Sequence, residues 1–347
     1  VLLEVAAIGV KIGIMPAFVP RSMIRFVLAI VLAGATTAVT AQAVQRMPRV
    51  GVLYMGGPVS SEDSSVGFER GMRDLGYASG RNVVLDYRYA DGRPERLPAL
   101  AAELVAANAD VILAAGPGPL AAARHATTTI PIVTVSGSDP VLEGWAKSLA
   151  RPGGIVTGLS VTFPELEQKR LEIMKVLLPG ALRIATIIAP LELRDGGSDV
   201  STDMKDAANA MGLQLQSVPL RSVAELDGLG GALRRGRAQA VFTVETTFVV
   251  ANRKRIAEIA AQLGIPVIGE FTIFGADDVL MAYGADLNDL LRRAATHVDR
   301  ILKGARAGDL PIERPTKLEL TVNRKVARDL GIAIPQSILL RADRIVE

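Results

Sequence analysis

From Arg49 onward the chain runs twice through one succession of short apolar strands and helices, and this duplication narrows its possible folds more than any other feature. Arg49-Val-Gly-Val-Leu-Tyr54 reads as a buried strand, Ser65 to Leu75 as a helix stopped at Gly76, and Asn82 to Tyr89 as an alternating strand. Pro94 to Ala107 reads as a helix with proline in its first turn, followed by a strand from Asp110 to Ala115, a helix from Leu120 to Thr128 and a strand from Ile132 to Val135. In the second half Arg183–Ile188 answers Arg49–Tyr54, Met211-Gly212 answers Leu75-Gly76, Gln239–Val244 answers Asp110–Ala115, and Ile265–Ile268 answers Ile130–Val133. The offsets are 134, 136, 129 and 135 residues. Short strands alternating with helices indicate parallel βαβ units, and the period is too long for a solenoid. The expected fold is therefore α/β, with two doubly wound, Rossmann-like lobes.

Length agrees. A chain of 347 residues outgrows one ordinary core and suits two. With 4% aromatic residues the cores must be aliphatic, and with 22% charged residues of both signs the chain reads as globular. The formal net charge is +3, and the first 43 residues carry +2 of it through Lys11, Arg21, Arg25 and Glu4. The remainder is near neutral, so no nucleic-acid partner is expected. The absence of cysteine excludes disulfides, thiolate metal sites, Fe–S clusters, a cysteine nucleophile and a lipid-modified N-terminal cysteine. With His125 and His297 alone, a histidine-rich metal centre is not expected, and neither is a cofactor.

The N-terminus reads as an address. Met23-Ile-Arg25 is a basic start, Phe26 to Ala35 is a short apolar run, and both Val39-Thr-Ala41 and Ala41-Gln-Ala43 fit a small-x-small cleavage site. Residues 23–43 are read as a secretory signal peptide and residues 1–22 as an over-extended start. Residues 1–43 are thus expected to stand outside the mature fold. The apolar run is too short to span a membrane.

In doubly wound sheets the crevice lies at the carboxyl ends of the strands, where the following helices point their N-termini and their unpaired N–H groups. Two such crevices facing each other across a hinge make a cleft that closes on a ligand. The candidate ligand contacts are the loop residues at those ends: Gly57 and Pro58 after the first strand, Gly116 and Pro117 after the third, and Ser136, Ser138 and Asp139 after the fourth. In the second half they are Glu245, Thr246 and Phe248, then Glu270 and Phe271, then Tyr283. Glycine allows close backbone approach, Ser and Asp offer hydrogen bonds, and the acids could hold an ammonium group. Each has a structural alternative: Ser136, Ser138 and Asp139 as helix caps, Gly116 as a turn residue, the acids as partners of Arg253 or Arg255, the aromatics as packing. Trp145 is placed near the rim.

Catalytic signatures are missing: no G-x-G-x-x-G, P-loop, H-E-x-x-H or G-x-S-x-G occurs. Both histidines fall inside predicted helices. Asp277-Asp278, Asp286 and Asp289 read as turn and N-cap residues. Glu245 and Glu270 form the one pair an exported α/β enzyme could use, and a sensory role would need a separate output partner.

Several stretches also resemble a known family. Glu95-Arg-Leu-Pro-Ala-Leu-Ala-Ala-Glu-Leu-Val105 with Ala109-Asp-Val-Ile112, Ile130-Pro-Ile132 with Asp139-Pro140, Ser148-Leu-Ala-Arg-Pro-Gly-Gly154 with Thr157-Gly-Leu-Ser160, and Pro315-Thr-Lys-Leu-Glu-Leu320 with Asn323 and Gly331-Ile-Ala-Ile-Pro335 are similar to the substrate-binding proteins of ABC transporters, a family with tryptophan- and tyrosine-binding members. The resemblance covers roughly residues 48 to 347. It implies the type I periplasmic-binding fold with three hinge crossings, expected near Ser160–Phe163, Tyr283–Asp286 and Gly304–Pro311. The lobes would then comprise 48–160 with about 284–308, and 161–283 with about 309–347. It further implies delivery of a ligand to an ABC permease in the membrane, without fixing that ligand, which is expected to be an amino acid or other small polar or anionic solute. From the residues themselves the protein is expected to be periplasmic, without a lipid anchor for want of a cysteine, and non-enzymatic, and it is expected to be monomeric because cleft closure needs no partner subunit. Aromatic-amino-acid binders are expected to carry a polar Asp/Asn-type motif after the strand at 239–244. Glu245-Thr-Thr-Phe248 departs from it and leaves the ligand open.

Overall fold

In a computed structural model the described residues are 2–5, 10–13, 46–57, 65–137, 140–141, 143–161, 164–189, 200–244, 246–272, 274 and 279–347. The expected signal peptide at 23–43, most of the leader, and the expected site residues Pro58, Ser138, Asp139 and Glu245 lie outside them. Within the leader, Leu2–Val5 and Val10–Gly13 pair as an antiparallel ribbon, Leu2 opposite Gly13. The body from Met47 to Glu347 is a separate compact unit.

The first sheet begins with β1 (Arg49–Tyr54), a run in which every residue after Arg49 is buried. Helix α1 (Ser65–Asp74), β2 (Val84–Tyr89), α2 (Leu97–Ala106), β3 (Val111–Ala115), α3 (Pro117–Ala126), β4 (Ile132–Ser136) and β5 (Val156–Ser160) follow. Strands β3, β4 and β5 are buried along nearly their whole length, as strands covered by helices on both faces must be. After α4 (Pro164–Leu177) the second sheet starts with β6 (Arg183–Ile188), followed by α5 (Thr202–Ala210), β7 (Gln214–Pro219), α6 (Leu229–Arg235), β8 (Ala240–Thr243), α7 (Thr247–Ala261), β9 (Val267–Gly269) and β10 (Met281–Gly284). The chain then forms α8 (Leu287–Leu302), β11 (Ile312–Glu313), β12 (Glu319–Asn323), α9 (Arg324–Asp329), α10 (Gln336–Leu339) and β13 (Arg344–Val346).

Strand order makes the duplication concrete. The first sheet runs β11-β5-β4-β3-β1-β2, and the second runs β13-β12-β10-β9-β8-β6-β7. In each, the first strand lies between the second and the third, and the later strands extend the sheet in sequence. All pairings in the two sheets are parallel except β10 with β12. The fold is the expected pair of doubly wound lobes.

The lobes exchange segments at their junction. After β10 the chain passes through Ala285–Asp286 into α8, whose cap is the Asp286 carboxylate, accepting from the backbone N–H of Asn288 at 2.8 Å and of Asp289 at 3.3 Å. Helix α8 packs on α1 of the first lobe through Gly67 and Gly71. The expected return to the second lobe near 304–311 comes later. Ile312 and Glu313 still pair with Gly158 and Leu159 of β5, so the chain leaves the first sheet only after Glu313. This two-residue strand is too short to show as an apolar alternation. At the other face of the junction, Arg170 of α4 is buried and donates from Nε to the Tyr283 carbonyl at 2.7 Å.

Candidate functional site

The carboxyl ends of β1, β3 and β4 meet the N-terminal half of α7 around a cavity that is partly open to solvent. Its position is the one parallel α/β sheets reserve for ligands. The first lobe supplies Tyr54, Met55, Gly56 and Gly57 from the end of β1, Ala115 to Pro117 from the β3–α3 turn, and Val135 from β4. The second lobe supplies Thr246, Thr247, Val250, Ala251 and Arg253 from α7. Phe271, just past β9, and Leu287 and Leu291 of α8 close the back.

Five of the expected contacts stand on this wall: Gly57, Gly116, Pro117, Thr246 and Phe271. Four described ones do not. Ser136 is buried at the end of β4, one residue beyond Val135, and strand alternation turns the two side chains to opposite faces. Phe248 lies on the inward face of α7 and packs in the aliphatic core. Glu270 is buried, and its carbonyl accepts from Arg170 Nη2 at 3.3 Å while the next residue, Phe271, reaches the cavity. Tyr283 is half-buried and packs against the core of the second lobe.

The wall residues not singled out from sequence have a common signature. Thr247, Val250 and Ala251 recur at helical spacing, as do Leu287 and Leu291, so each set forms one stripe of its helix. Tyr54 is the near end of a row of rings. It stacks on Tyr89 with centroids 6.1 Å apart and planes at 11°, and Tyr89 stacks on Tyr87 at 5.9 Å and 3°. The row is anchored where the Tyr87 hydroxyl donates to Glu69 of α1 at 2.9 Å. Burial, reinforced by the Glu69 carboxylate, drives the Tyr87 phenol far above its ordinary range.

Helix ends contribute unequally. Thr246 caps α7, its Oγ1 accepting from the Val249 N–H at 3.2 Å. At α3 the first turn reads Pro117-Gly118-Pro119, and two of these three residues have no N–H to offer. Of the first three residues of α3, only Gly118 therefore has an N–H to offer at this end of the cavity. The wall is mainly apolar, with Thr246, Thr247, Arg253 and the phenol of Tyr54 as its polar side chains among the described residues. Arg253 is half-buried, and its Nη1 donates to the Val250 carbonyl at 3.1 Å.

Among the described lining residues there is neither a carboxylate nor a histidine. Among all described residues no cluster of three His, Asp or Glu side chains is arranged to hold a metal ion. His125 is exposed on α3, and His297 is buried on α8 with Nε2 3.2 Å from the Pro311 carbonyl. Trp145 is half-buried beneath Arg124, whose guanidinium carbon lies 5.2 Å from the ring centroid. No helix among the described residues is long and apolar enough to cross a membrane.

Comparisons with known proteins agree with this geometry. The family model described as ABC transporter substrate binding protein matches residues 49–346. A tyrosine-binding protein of Clostridioides difficile is 25% identical over 289 residues, covering 83% of this chain and 82% of that protein. Among solved structures, a conserved domain protein from Vibrio cholerae superimposes with a TM-score of 0.77 at 26% identity, over 86% of this chain and 100% of the other. An ABC domain from Streptococcus pneumonia in complex with L-Trp superimposes with a TM-score of 0.75 at 21% identity, over 86% of this chain and 99% of the other.

Proposed function

Because the chain belongs to the family of ABC transporter substrate-binding proteins, we propose that it is an exported, monomeric receptor that encloses one small organic solute between its lobes and hands it, chemically unchanged, to a membrane permease. The observation that carries this reading is the two-sided cavity: Tyr54, Met55 and Val135 of one lobe and Val250, Ala251 and Arg253 of the other line it together. A site divided between two bodies is strongest when they come together, and a permease can then distinguish the liganded form from the empty one. In this reading the first lobe comprises residues 48–160 with 284–313, the second the rest of the mature chain. Residues 23–43 direct export to the periplasm, where the protein stays without a lipid anchor.

The wall favours a solute with an apolar body and one polar end. Met55, Val135, Val250, Phe271 and Leu291 surround the body, and Thr246, Thr247 and Arg253 receive the polar end. An amino acid with a large apolar side chain fits this description, in line with the tyrosine named for one relative and the L-Trp bound in another. Small carboxylates are the next class.

The test is a thermal-unfolding screen of the purified chain against amino acids, small carboxylates, sugars and nucleosides. A ligand at 100 times its dissociation constant adds about 2.7 kcal/mol of stability. Stabilisation by apolar amino acids or carboxylates, with the ligand recovered intact, supports the reading. Stabilisation by sugars alone overturns the proposed ligand class, and recovery of an altered compound overturns the receptor role.

A further inference from the structure

Three glycines at the rim of the first lobe face the second lobe at close range. A Cβ on Gly116 would lie 1.7 Å from Thr247 Cγ2, a Cβ on Gly56 would lie 4.0 Å from the Ala251 Cβ, and a Cβ on Gly92 would lie 3.6 Å from Val223 Cγ2 and 3.7 Å from Asn252 Nδ2. Gly56, Gly92 and Gly116 follow β1, β2 and β3, so they form a row along one edge of the sheet. Opposite them stand Thr247 and Ala251, one turn apart on α7, and the adjacent Asn252, with Val223 beside them. Gly116, Thr247, Gly56 and Ala251 also line the cavity.

We infer that this row is the closing seam of the cleft, and that the size of the residues on it sets how far the lobes shut and hence how thick a ligand they enclose. The inference rests on the receptor reading and deepens it. At Gly116 the approach is already one of van der Waals contact, with φ at 106° and ψ at 172°, a backbone region open essentially to glycine alone. There the seam is a hard stop, and nothing can sit between residues 116 and 247. At Gly56 the gap is one Cβ contact wide and φ is not positive, so a side chain is tolerated. Ala251 is exposed although it lies on the cavity wall. Small residues at 56, 251 and 116 therefore do not serve core packing. They let two surfaces approach that larger side chains would hold apart, and the space left behind the stop is the volume offered to the solute.

The chain contains no cysteine, which makes the seam directly testable. The 4.0 Å Cβ separation for residues 56 and 251 is that of a relaxed disulfide. In the full chain carrying Gly56→Cys and Ala251→Cys, oxidised glutathione is expected to form an intramolecular disulfide readily, releasing two molecules of reduced glutathione, seen as the loss of two hydrogen atoms from the protein mass and protection from alkylation. Adding Thr247→Phe, which places bulk at the stop without straining the backbone, is expected to slow that closure by about tenfold, whereas Thr247→Ala leaves it as fast or faster. A second measurement guards against misfolding: spin labels at Ala102→Cys and Ala261→Cys, both exposed and on opposite lobes, are expected to move apart in Thr247→Phe while its circular dichroism stays unchanged. Failure of the disulfide to form in the folded double variant overturns the seam. Equal rates with Thr247→Phe, or unchanged label distances, overturn its role as the stop. Failure of the receptor reading has a different signature: no probe of the solute screen stabilises the protein, while the disulfide kinetics stand as described.

Discussion

Arg170 of α4 donates from Nε to the carbonyl of Tyr283 at 2.7 Å, joining the helix that opens the second lobe to the strand that leads out of it. The same guanidinium reaches the Glu270 carbonyl at 3.3 Å, so one side chain spans the ends of two neighbouring strands, β9 and β10. The approach leaves no room for a side chain at Gly284, where a Cβ would lie 1.7 Å from the Glu270 oxygen. Planar, multi-donor geometry suits arginine and not lysine. Arg170→Met leaves two buried carbonyls without their charged donor and is expected to lower stability by about 2–4 kcal/mol. Arg170→Lys keeps the charge but cannot serve both carbonyls and is expected to fall between. Urea unfolding of the two variants checks the order; equal stability of all three proteins would remove Arg170 from the junction.

Helix α8 belongs to the first lobe because α1 lets it come close. A Cβ on Gly67 would lie 2.2 Å from the Asn288 carbonyl oxygen, and one on Gly71 would lie 2.4 Å from that of Arg292 and 2.7 Å from the Ala295 Cβ. Backbone cannot swing aside as a long side chain can. Replacing a helical glycine by alanine ordinarily stabilises by about 0.5–1 kcal/mol, but here overpacking wins, and Gly67→Ala or Gly71→Ala is expected to cost about 1–3 kcal/mol. Gly230→Ala on α6 is the control: its added methyl meets Ile259 at an ordinary 3.6 Å, and the variant is expected to be neutral or more stable.

What could be read in advance follows the range of the interactions. Arg49–Tyr54 and Arg183–Ile188 declare themselves as buried strands because parallel strands covered on both faces need unbroken apolar runs. Their shared offset then implies two lobes and a cleft at the strand ends. The inner wall was less legible. Glu270 and Phe271 are adjacent at the end of β9, and only the path of the chain past the strand decides that Phe271 faces the cavity. Thr246 and Phe248 are two residues apart, and the start of α7 turns one to the cavity and the other to the core. Leu287 and Leu291 join the wall because α8 crosses back to the first lobe, a contact more than 200 residues distant from α1 in sequence that no local pattern encodes. Arg170 gave no signal at all: a lone arginine in an amphipathic helix reads as solvated.

Alkaline titration tests two half-buried phenols. Tyr77 donates to Asp299 at 3.0 Å, and burial together with that carboxylate pushes its pKa up to about 12. The unfolded phenol titrates near pH 10. A raised folded value means that the stabilising contribution is whole below about pH 10 and is lost as pH rises toward 12. Tyr87, more deeply buried and bonded to Glu69, is expected to resist ionisation further still. Tyrosinate absorbance of the folded protein at pH 12 is therefore expected to fall short of that of all five tyrosines. Tyr77→Phe is expected to lose less stability between pH 10 and 12 than the parent chain. Full ionisation by pH 11 with the fold intact would contradict the burial described for both rings.

Thr246 joins stability to the site. The residue is 1% exposed, its hydroxyl caps α7 by accepting from the Val249 N–H, and it stands on the cavity wall between the lobes. Thr246→Ala removes the cap and is expected to cost about 1–2 kcal/mol, whereas Thr246→Ser keeps the oxygen and most of the stability. Because the first turn of α7 carries Thr247 and the start of the closing face, loosening it is also expected to weaken binding of whichever solute the screen identifies. Serine restores both properties if the cap governs the site. Lost affinity with unchanged stability in Thr246→Ala assigns the hydroxyl to the ligand itself, and lost stability with unchanged affinity confines it to the helix. Measuring urea midpoints and solute affinity on the same three proteins separates these cases, since the cap acts through the backbone of α7 and a ligand contact does not.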